Sequence, residues 1–274
     1  MEAFINALVW TLGLALIPMS FTIFIDYWYL GIIGSIFLLF FYPIVQELLF
    51  MIIAKLRIAS GSVDRDLQSM HKKLDTMYPI VYSPGYNLTA CGLERMHPFD
   101  STKYGRVYDF LIKWNVLRDE DPGKFVKEGR QNKTLEPGIV SRIYLYEVCT
   151  FVHMMLLNYS LYIGKCVELP ICFLPAWLVR WRVLNPMLRA TNGTIMASKM
   201  AMERGIAINL SGGYHHACCN NGQGFCIYPD ITIAIKMMRK AYGISRVMII
   251  DLDAHQGNGH ERDFIDDKDV FIID

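Results

Sequence analysis

The last third of the chain alternates between short apolar segments and segments of helical character, and this alternation strongly limits the available folds. We predict strands at 206–210, 247–250 and 270–273, and a helix over 230–241 that Asp230 caps. Strands joined through a helix form the crossover unit of a parallel sheet. The sequence therefore predicts an α/β fold, in which ligands bind at the carboxyl ends of the strands.

Segments further upstream agree with this pattern. A helix is predicted over 193–203, ended by Gly205, and a short apolar run at 80–82 is followed by a turn signal at 83–85. The segment 144–167 is apolar and aromatic, but its uncharged run is short for a membrane span. We therefore interpret this segment as a buried helix.

The first 54 residues are far more apolar than the rest of the chain. Two uncharged runs, 3–25 and 27–46, are separated by Asp26 alone, and each is long enough to span a bilayer. Basic residues follow, so the positive-inside rule places the remaining chain on the cytosolic side. We predict a membrane hairpin over 1–54 and a polar linker over 55–76, and hence a membrane-associated protein whose main domain faces the cytosol or nucleus. A nuclear location, a signal peptide and a buried soluble hairpin are the alternatives.

Charge and cysteine content bear on the class of partner and the compartment. The chain has 27 Lys and Arg against 26 Asp and Glu, scattered along its length, so direct nucleic-acid binding is not expected. Seven cysteines without small-scaffold spacing favour a reducing compartment over a disulfide framework. Cys218, Cys219 and Cys226 allow a structural zinc site, but ordinary buried thiols are the simpler interpretation because adjacent cysteines strain a single metal site.

Metal-ligand side chains follow the strand at 247–250. Asp251, Asp253 and His255 alternate along the chain, so a continuing strand would turn all three to one side. Two carboxylates and an imidazole at the end of a buried strand are costly unless a cation neutralises them. Oxygen and nitrogen ligands suit zinc, with manganese and iron as alternatives. A solvated loop with chance acids is the alternative without function.

A second polar group follows the strand at 206–210. Paired glycines at 212–213 permit close backbone approach, and His215 and His216 suggest acid–base catalysis or metal ligation. Because both polar groups follow parallel strands, we expect them to meet around a metal ion. Further along, Phe225 is presented by a glycine-rich loop or fills the core beneath a turn.

Taken together, these motifs resemble the zinc-dependent histone deacetylase family. The motifs that carry the resemblance are Gly-Gly-Tyr-His-His-Ala at 212–217, Gly-Phe-Cys at 224–226 and Asp-Leu-Asp-Ala-His-Gln-Gly-Asn-Gly at 251–259. The segments that resemble class IV, the histone deacetylase 11 type, are 79–84, 97–100, 193–197 and 257–264. The resemblance covers 77–136 and 172–274. It implies an arginase/deacetylase-like parallel sheet flanked by helices, in a partial domain over 77–274 that is atypical at 137–171.

The resemblance also implies a reaction and its cofactors. The reaction is hydrolysis of N-ε-acyl-lysine, so the partners are acylated lysine side chains of histones or other proteins. By resemblance, Asp253 and His255 would be two zinc ligands. Asp251 would orient His215 and help to bind a structural potassium ion.

Other positions acquire catalytic and substrate-binding roles by the same resemblance. His215 and His216 would be the tandem pair that activates water and protonates the leaving amine. Asn258 would face His216. Phe225 would line the acyl-lysine channel, and the carbonyl of Gly224 would accept the substrate amide N–H.

The resemblance leaves the site incomplete. The family takes its third zinc ligand, an aspartate, and an oxyanion-stabilising tyrosine from later segments, and this sequence stops at Asp274 before either. A retained intron, a shortened gene and real divergence all fit these departures. The alternatives to a lysine deacylase are a catalytically inactive binding module, and an arginase-like or polyamine-deacylating metallohydrolase.

Overall fold

The computed structural model describes residues 28–60, 80–114, 126–127 and 145–274, and every structural statement below refers to these residues. The helices are α1 (Trp28–Ala59), α2 (Lys103–Lys113), α3 (Phe151–Leu156), α4 (Ser160–Cys166), α5 (Ala176–Val179), α6 (Asn185–Arg204), α7 (Asp230–Tyr242) and α8 (Asn258–Phe264). The strands are β1 (Ile80–Tyr82), β2 (Val126–Lys127), β3 (Ile208–Asn209), β4 (Val247–Ile250) and β5 (Val270–Ile273). Short 3₁₀ turns occupy Pro84–Tyr86 and Leu93–Met96, and a π-helical turn at Arg180–Leu184 joins α5 to α6.

The described strands form two parallel sheets. In the first sheet β1 lies between β2 and β3, and in the second β4 pairs with β5 from Val247 opposite Val270 to Ile250 opposite Ile273. Parallel strands connected by helices confirm the predicted α/β class. The strands predicted at 247–250 and 270–273 are confirmed, whereas β3 is shorter than predicted. The apolar run at 80–82 forms β1.

One predicted connection is wrong. The strands at β3 and β4 were expected to form one crossover unit through α7, but β3 pairs with β1, and β4 pairs with β5 through α8. Directly after β3, Gly212 and Gly213 adopt positive φ angles of 82° and 70°. These angles turn the chain away from the strand direction.

Helix α7 begins at Asp230 as predicted, whereas α6 begins at Asn185, eight residues before the predicted start at 193. Gly205 ends α6 in the left-handed conformation, with φ of 86°, as a C-terminal glycine commonly does. The expectation that Asp230 caps α7 is wrong. Pro229 holds the cap position and Asp230 is the first helical residue. The carboxylate of Asp230 instead accepts hydrogen bonds from the backbone N–H groups of Gly213 and Tyr214, both at 2.8 Å.

The apolar segment predicted as one buried helix lies in the core as α3 and α4, after a short helical stretch at 145–148. His153 of α3 is fully buried, with its two ring nitrogens at 2.7 Å from Tyr162 Oη and 3.0 Å from the Ile227 carbonyl. The N–H of Phe225 donates to the Cys166 carbonyl at the end of α4, at 3.0 Å. This segment therefore supports the glycine-rich loop before α7.

The prediction of a membrane hairpin and a membrane location is wrong for the described part of the N-terminal region. No helix within the described ranges combines the length and the hydropathy that a membrane span requires. Helix α1 continues into the predicted linker, and its second half packs on protein, with Phe50 and Ala54 in the hydrophobic core. The first predicted span, 3–25, lies outside the described residues, as does 61–76 of the linker.

A buried carboxylate attaches α1 to the rest of the protein. Glu47 is 3% exposed, and its carboxylate accepts hydrogen bonds from Tyr146 Oη and, at 3.2 Å, from Asn158 Nδ2. Asn158 Oδ1 in turn accepts a hydrogen bond from Arg180 Nη2 at 2.5 Å. A run of apolar residues cannot distinguish contact with lipid from contact with protein, whereas this polar network is specific for protein.

We expect Glu47→Ala to lower the free energy of unfolding by about 2 kcal/mol, because two buried donors lose their acceptor. The measurement is chemical denaturation of the full chain. Glu47→Gln is the matched control, since it keeps the side-chain size and one acceptor oxygen and should lose less. Equal stability of wild type and Glu47→Ala would contradict the docking of α1 through this residue.

Candidate active site

The carboxylate of Asp251, directly after β4, is the centre of a hydrogen-bond network. Its Oδ2 accepts from His215 Nδ1 at 2.7 Å and from His260 Nε2 at 3.0 Å, and its Oδ1 accepts from the backbone N–H of Asp253 at 3.1 Å. Burial alone raises the pKa of Asp251, but the hydrogen bonds from His260, Asp253 and His215 outweigh burial and lower this pKa below its usual value. Asp251 is therefore an ionised acceptor shared by two imidazoles.

The second tandem histidine has a similar but uncharged partner. His216 Nδ1 lies 3.0 Å from Oδ1 of Asn258, the first residue of α8. The rings of His215 and His216 lie 4.0 Å apart between centroids. Because Asp251 and Asn258 offer oxygen acceptors, each imidazole donates through Nδ1–H, which leaves its Nε2 to accept or to release a proton.

A buried aspartate fixes the loop that carries these histidines. Asp230 is 0% exposed and accepts from Gly213 N–H, Tyr214 N–H and, at 2.5 Å, the hydroxyl of Thr194. Burial raises the pKa of Asp230 despite these hydrogen bonds, so the ionised carboxylate depends on its three donors. A Cβ at Gly212 would lie 2.2 Å from the Thr194 hydroxyl oxygen, so a glycine is required there.

Asp253 and His255, predicted as zinc ligands, lie beside the tandem histidines. The ring of His255 is 6.1 Å from that of His216, measured between centroids. Asp253 Oδ1 accepts from the His255 backbone N–H at 2.9 Å and lies 3.0 Å from His255 Nδ1. These hydrogen bonds lower the pKa of Asp253, which keeps the carboxylate ionised, as a metal ligand must be. The structure thus brings both polar motifs together, although the strands that precede them lie in separate sheets.

The donor chemistry of this pair fits zinc in part. A carboxylate oxygen and an imidazole nitrogen are both common zinc ligands, and both side chains are open to solvent, at 52% and 78% exposure for Asp253 and His255. A catalytic zinc usually takes three protein ligands, and within the described ranges this pair supplies two of them. The zinc-ligand roles of Asp253 and His255 therefore stay predictions, with which the donor atoms of both side chains are compatible.

The fit for potassium is weaker. The His215, Asp251 and His260 side chains form a group whose ligand atoms lie within 4.8 Å of one another. Potassium is typically coordinated by several oxygens. The group supplies oxygens from Asp251 alone, and both of these already accept hydrogen bonds. Potassium binding at Asp251 thus stays a prediction.

Of the two predicted substrate-binding residues, Gly224 lies against the ring of His216. A Cβ at Gly224 would be 2.4 Å from His216 Cδ2, so a side chain there would displace the imidazole. The Gly224 carbonyl lies 3.4 Å from Cys226 Sγ, and a carbonyl oxygen has a second lone pair for another donor. Phe225 is 4% exposed, and its ring packs between His97 and Phe99, at centroid distances of 4.6 and 4.9 Å. The substrate-binding roles of Gly224 and Phe225 stay predictions.

Sequence reasoning gave no site role to His260, Asp274 or Asp230. Asp274 follows β5, and its Oδ2 accepts from the Gly257 N–H at 2.6 Å. A usable signal existed for Asp274, because β5 is the parallel neighbour of β4 and their carboxyl ends share an edge. For His260 the sequence pattern carries no such signal, since its contact with Asp251 depends on the turn that precedes α8.

Comparisons with known proteins agree with this arrangement. Residues 175–274 match the family model described as the histone deacetylase domain. The chain is 42% identical over 196 residues to histone deacetylase 2 of Arabidopsis thaliana, covering 71% of this chain and 48% of the relative. It is 43% identical over 199 residues to an uncharacterised protein of Picosynechococcus sp., covering 72% of this chain and 59% of the relative. The chain thus spans about half the length of the curated relatives that it matches.

A solved structure supports the fold. The crystal structure of the HDA15 HD domain superposes with a TM-score of 0.51 at 17% sequence identity, covering 72% of this chain and 53% of that chain. This similarity confirms the predicted arginase/deacetylase-like α/β fold. Residues 175–274 therefore match the histone deacetylase domain, and the chain is similar in sequence to a plant histone deacetylase over 71% of its length.

Proposed function

We propose that the protein is a zinc-dependent lysine deacylase of class IV type, which hydrolyses N-ε-acyl-lysine in histones or other proteins. One observation carries this proposal. Two adjacent imidazoles, His215 and His216, are each held through Nδ1 by a side-chain oxygen, beside the carboxylate–imidazole pair of Asp253 and His255. Amide hydrolysis needs a proton acceptor for the attacking water and a proton donor for the leaving amine, and this pair can supply both.

The hydrogen bonds of the two imidazoles define their roles in the proposal. His215, held by Asp251, takes the proton from the attacking water on Nε2. His216, held by Asn258 through Nδ1–H, enters this step as an imidazolium and delivers the proton on its Nε2 to the departing lysine amine. The ring separation of 4.0 Å keeps both imidazoles close enough to serve one amide group, His215 at the attacking water and His216 at the leaving nitrogen.

Asp253 and His255 are the residues that would hold zinc. A bound zinc ion supplies a Lewis acid that polarises the amide carbonyl and lowers the pKa of water to about 7. The solvent exposure of both side chains leaves room for further ligands. In the proposal the acyl-lysine lies along Phe225, and its amide N–H donates to the carbonyl of Gly224.

The test measures zinc and hydrolysis on the same protein. We expect the full chain to bind one zinc ion per molecule and to release acetate from an acetyl-lysine histone peptide, which leaves the lysine side chain as a free amine. Asp253→Asn is expected to lower zinc content and hydrolysis together, because a neutral amide is a poorer zinc ligand than a carboxylate. Asp266→Asn, which changes an exposed carboxylate outside the site, is the matched control and should alter neither.

Two other results would contradict the proposal. If the protein binds one zinc ion and the peptide but does not hydrolyse the peptide, a catalytically inactive binding module is favoured. This alternative arises because the described residues supply two zinc ligands, where a catalytic zinc usually takes three. Two manganese ions per chain would favour an arginase-like hydrolase.

A further inference from the structure

His260, the third residue of α8, is a buried imidazole that the proposed reaction leaves without a role. It is 1% exposed, and its Nε2 lies 3.0 Å from Asp251 Oδ2. The other ring nitrogen, Nδ1, is buried and has no hydrogen-bond partner among the described residues. Burying a polar atom without a hydrogen-bond partner costs free energy, so the burial of this imidazole requires an explanation.

The unpartnered nitrogen identifies the tautomer. A proton on Nδ1 would be a buried donor without an acceptor, and such orphaned N–H groups are rarer than unsatisfied lone pairs. The proton therefore lies on Nε2, from which His260 donates to Asp251. Asp251 Oδ2 then receives two N–H donors, one from His260 and one from His215.

The backbone around His260 is arranged for this contact. A Cβ at Gly257 would lie 2.1 Å from His260 Nε2 and 2.5 Å from Asp251 Oδ2, so glycine is needed for the imidazole to reach the carboxylate. The Gly257 N–H is held by Asp274 at 2.6 Å. At the first turn of α8, the Gly259 N–H donates to the His215 carbonyl at 2.8 Å. The same turn thus holds both the main chain of His215 and the carboxylate that its side chain contacts.

We propose that His260 is a positioning residue, which fixes the Asp251 carboxylate so that His215 keeps its proton on Nδ1 and its lone pair on Nε2. The backbone N–H of Asp253 already holds Oδ1 of this carboxylate, and the two imidazole donors on Oδ2 further restrict its rotation about the Cβ–Cγ bond. Second hydrogen-bond partners of this kind orient functional histidines in many metal sites, and their loss typically costs 10- to 100-fold in activity or affinity. The catalytic consequence rests on the proposed function, but the tautomer of His215 does not.

The experiment determines by ¹⁵N NMR of the full chain, at one neutral pH, which ring nitrogen of His215 and of His260 carries the proton. In wild type we expect His260 to be protonated on Nε2 and His215 on Nδ1. His260→Leu keeps the apolar volume and removes the donor, and it is expected to leave His215 as a mixture of tautomers. His260→Gln restores an N–H donor and is expected to restore the single tautomer. His153, a buried histidine whose partners are Tyr162 and Ile227, serves as the internal control.

Two results would overturn the proposal. One is an unchanged His215 tautomer in a folded His260→Leu protein, which would give His260 a packing role only. The other is a wild-type His260 protonated on Nδ1, which decides the question even if the leucine variant fails to fold.

Hydrolysis separates this proposal from the function proposed above. We expect His260→Leu to lower kcat for the acetyl-lysine peptide by about 10- to 100-fold with KM unchanged, and His260→Gln to recover most of the loss. An inactive wild type would refute the deacylase function and leave the tautomer result standing.

Discussion

Asp230→Ala is expected to lower the free energy of unfolding by about 3 to 5 kcal/mol, because three donors lose one buried acceptor. The Thr194 hydroxyl and the backbone N–H groups of Gly213 and Tyr214 all converge on this carboxylate. Water cannot replace it without entering a site that is 0% exposed. For a chain of this size such a loss corresponds to a fall of about 10 °C in the thermal midpoint.

Two variants test whether the loss comes from the loop rather than from α7. Asp230→Asn keeps one acceptor oxygen and should lose less than alanine. Thr194→Val removes one donor and leaves the backbone contacts, and it should cost about 1 kcal/mol. Thermal and chemical denaturation of all three proteins provide the measurement. An Asp230→Ala protein with wild-type stability would show that the histidine loop is held by other contacts.

The secondary structure of the C-terminal third could be predicted because its signals are local. Four-residue apolar runs flanked by polar and turn residues predicted β4 and β5, and Gly205 predicted the end of α6. Strand pairing could not be predicted in the same way. Whether β3 pairs with β1 or with β4 depends on contacts between residues that are far apart in the sequence. Hydropathy likewise could not place α1, since apolar side chains bury against protein as readily as against lipid, and Glu47 revealed its partners only in three dimensions.

The candidate site shows the same difference between local signals, which the sequence carries, and long-range contacts, which it does not. The rule that ligands collect at strand ends placed Asp251 and His215 together, although the two strands do not pair. Their contact is made instead by the turn before α8, whose Gly259 N–H binds the His215 carbonyl at 2.8 Å. No periodic pattern connects His260 to Asp251, so this part of the network emerges only from the folded chain.

His216→Ala is the change with the largest expected effect on the proposed activity. Its imidazole is held through Nδ1 by Asn258 and lies against Gly224, where it can deliver a proton to the leaving amine. Loss of a general acid typically costs 100- to 10,000-fold, so we expect kcat/KM for the acetyl-lysine peptide to fall by about this factor. Zinc content should be unchanged, because His216 is not a proposed ligand.

Variants of Asn258 give the graded comparison. Asn258→Leu removes the oxygen that holds His216 Nδ1, which should lower kcat by about 10- to 100-fold while the imidazole remains. Asn258→Asp keeps an acceptor oxygen and should retain more activity than the leucine variant. Peptide hydrolysis with purified, zinc-loaded proteins is the measurement, with the thermal midpoint as the control for folding. If His216→Ala retains activity within threefold of wild type, the proton for the leaving amine must come from another group, and His215 becomes the next residue to test.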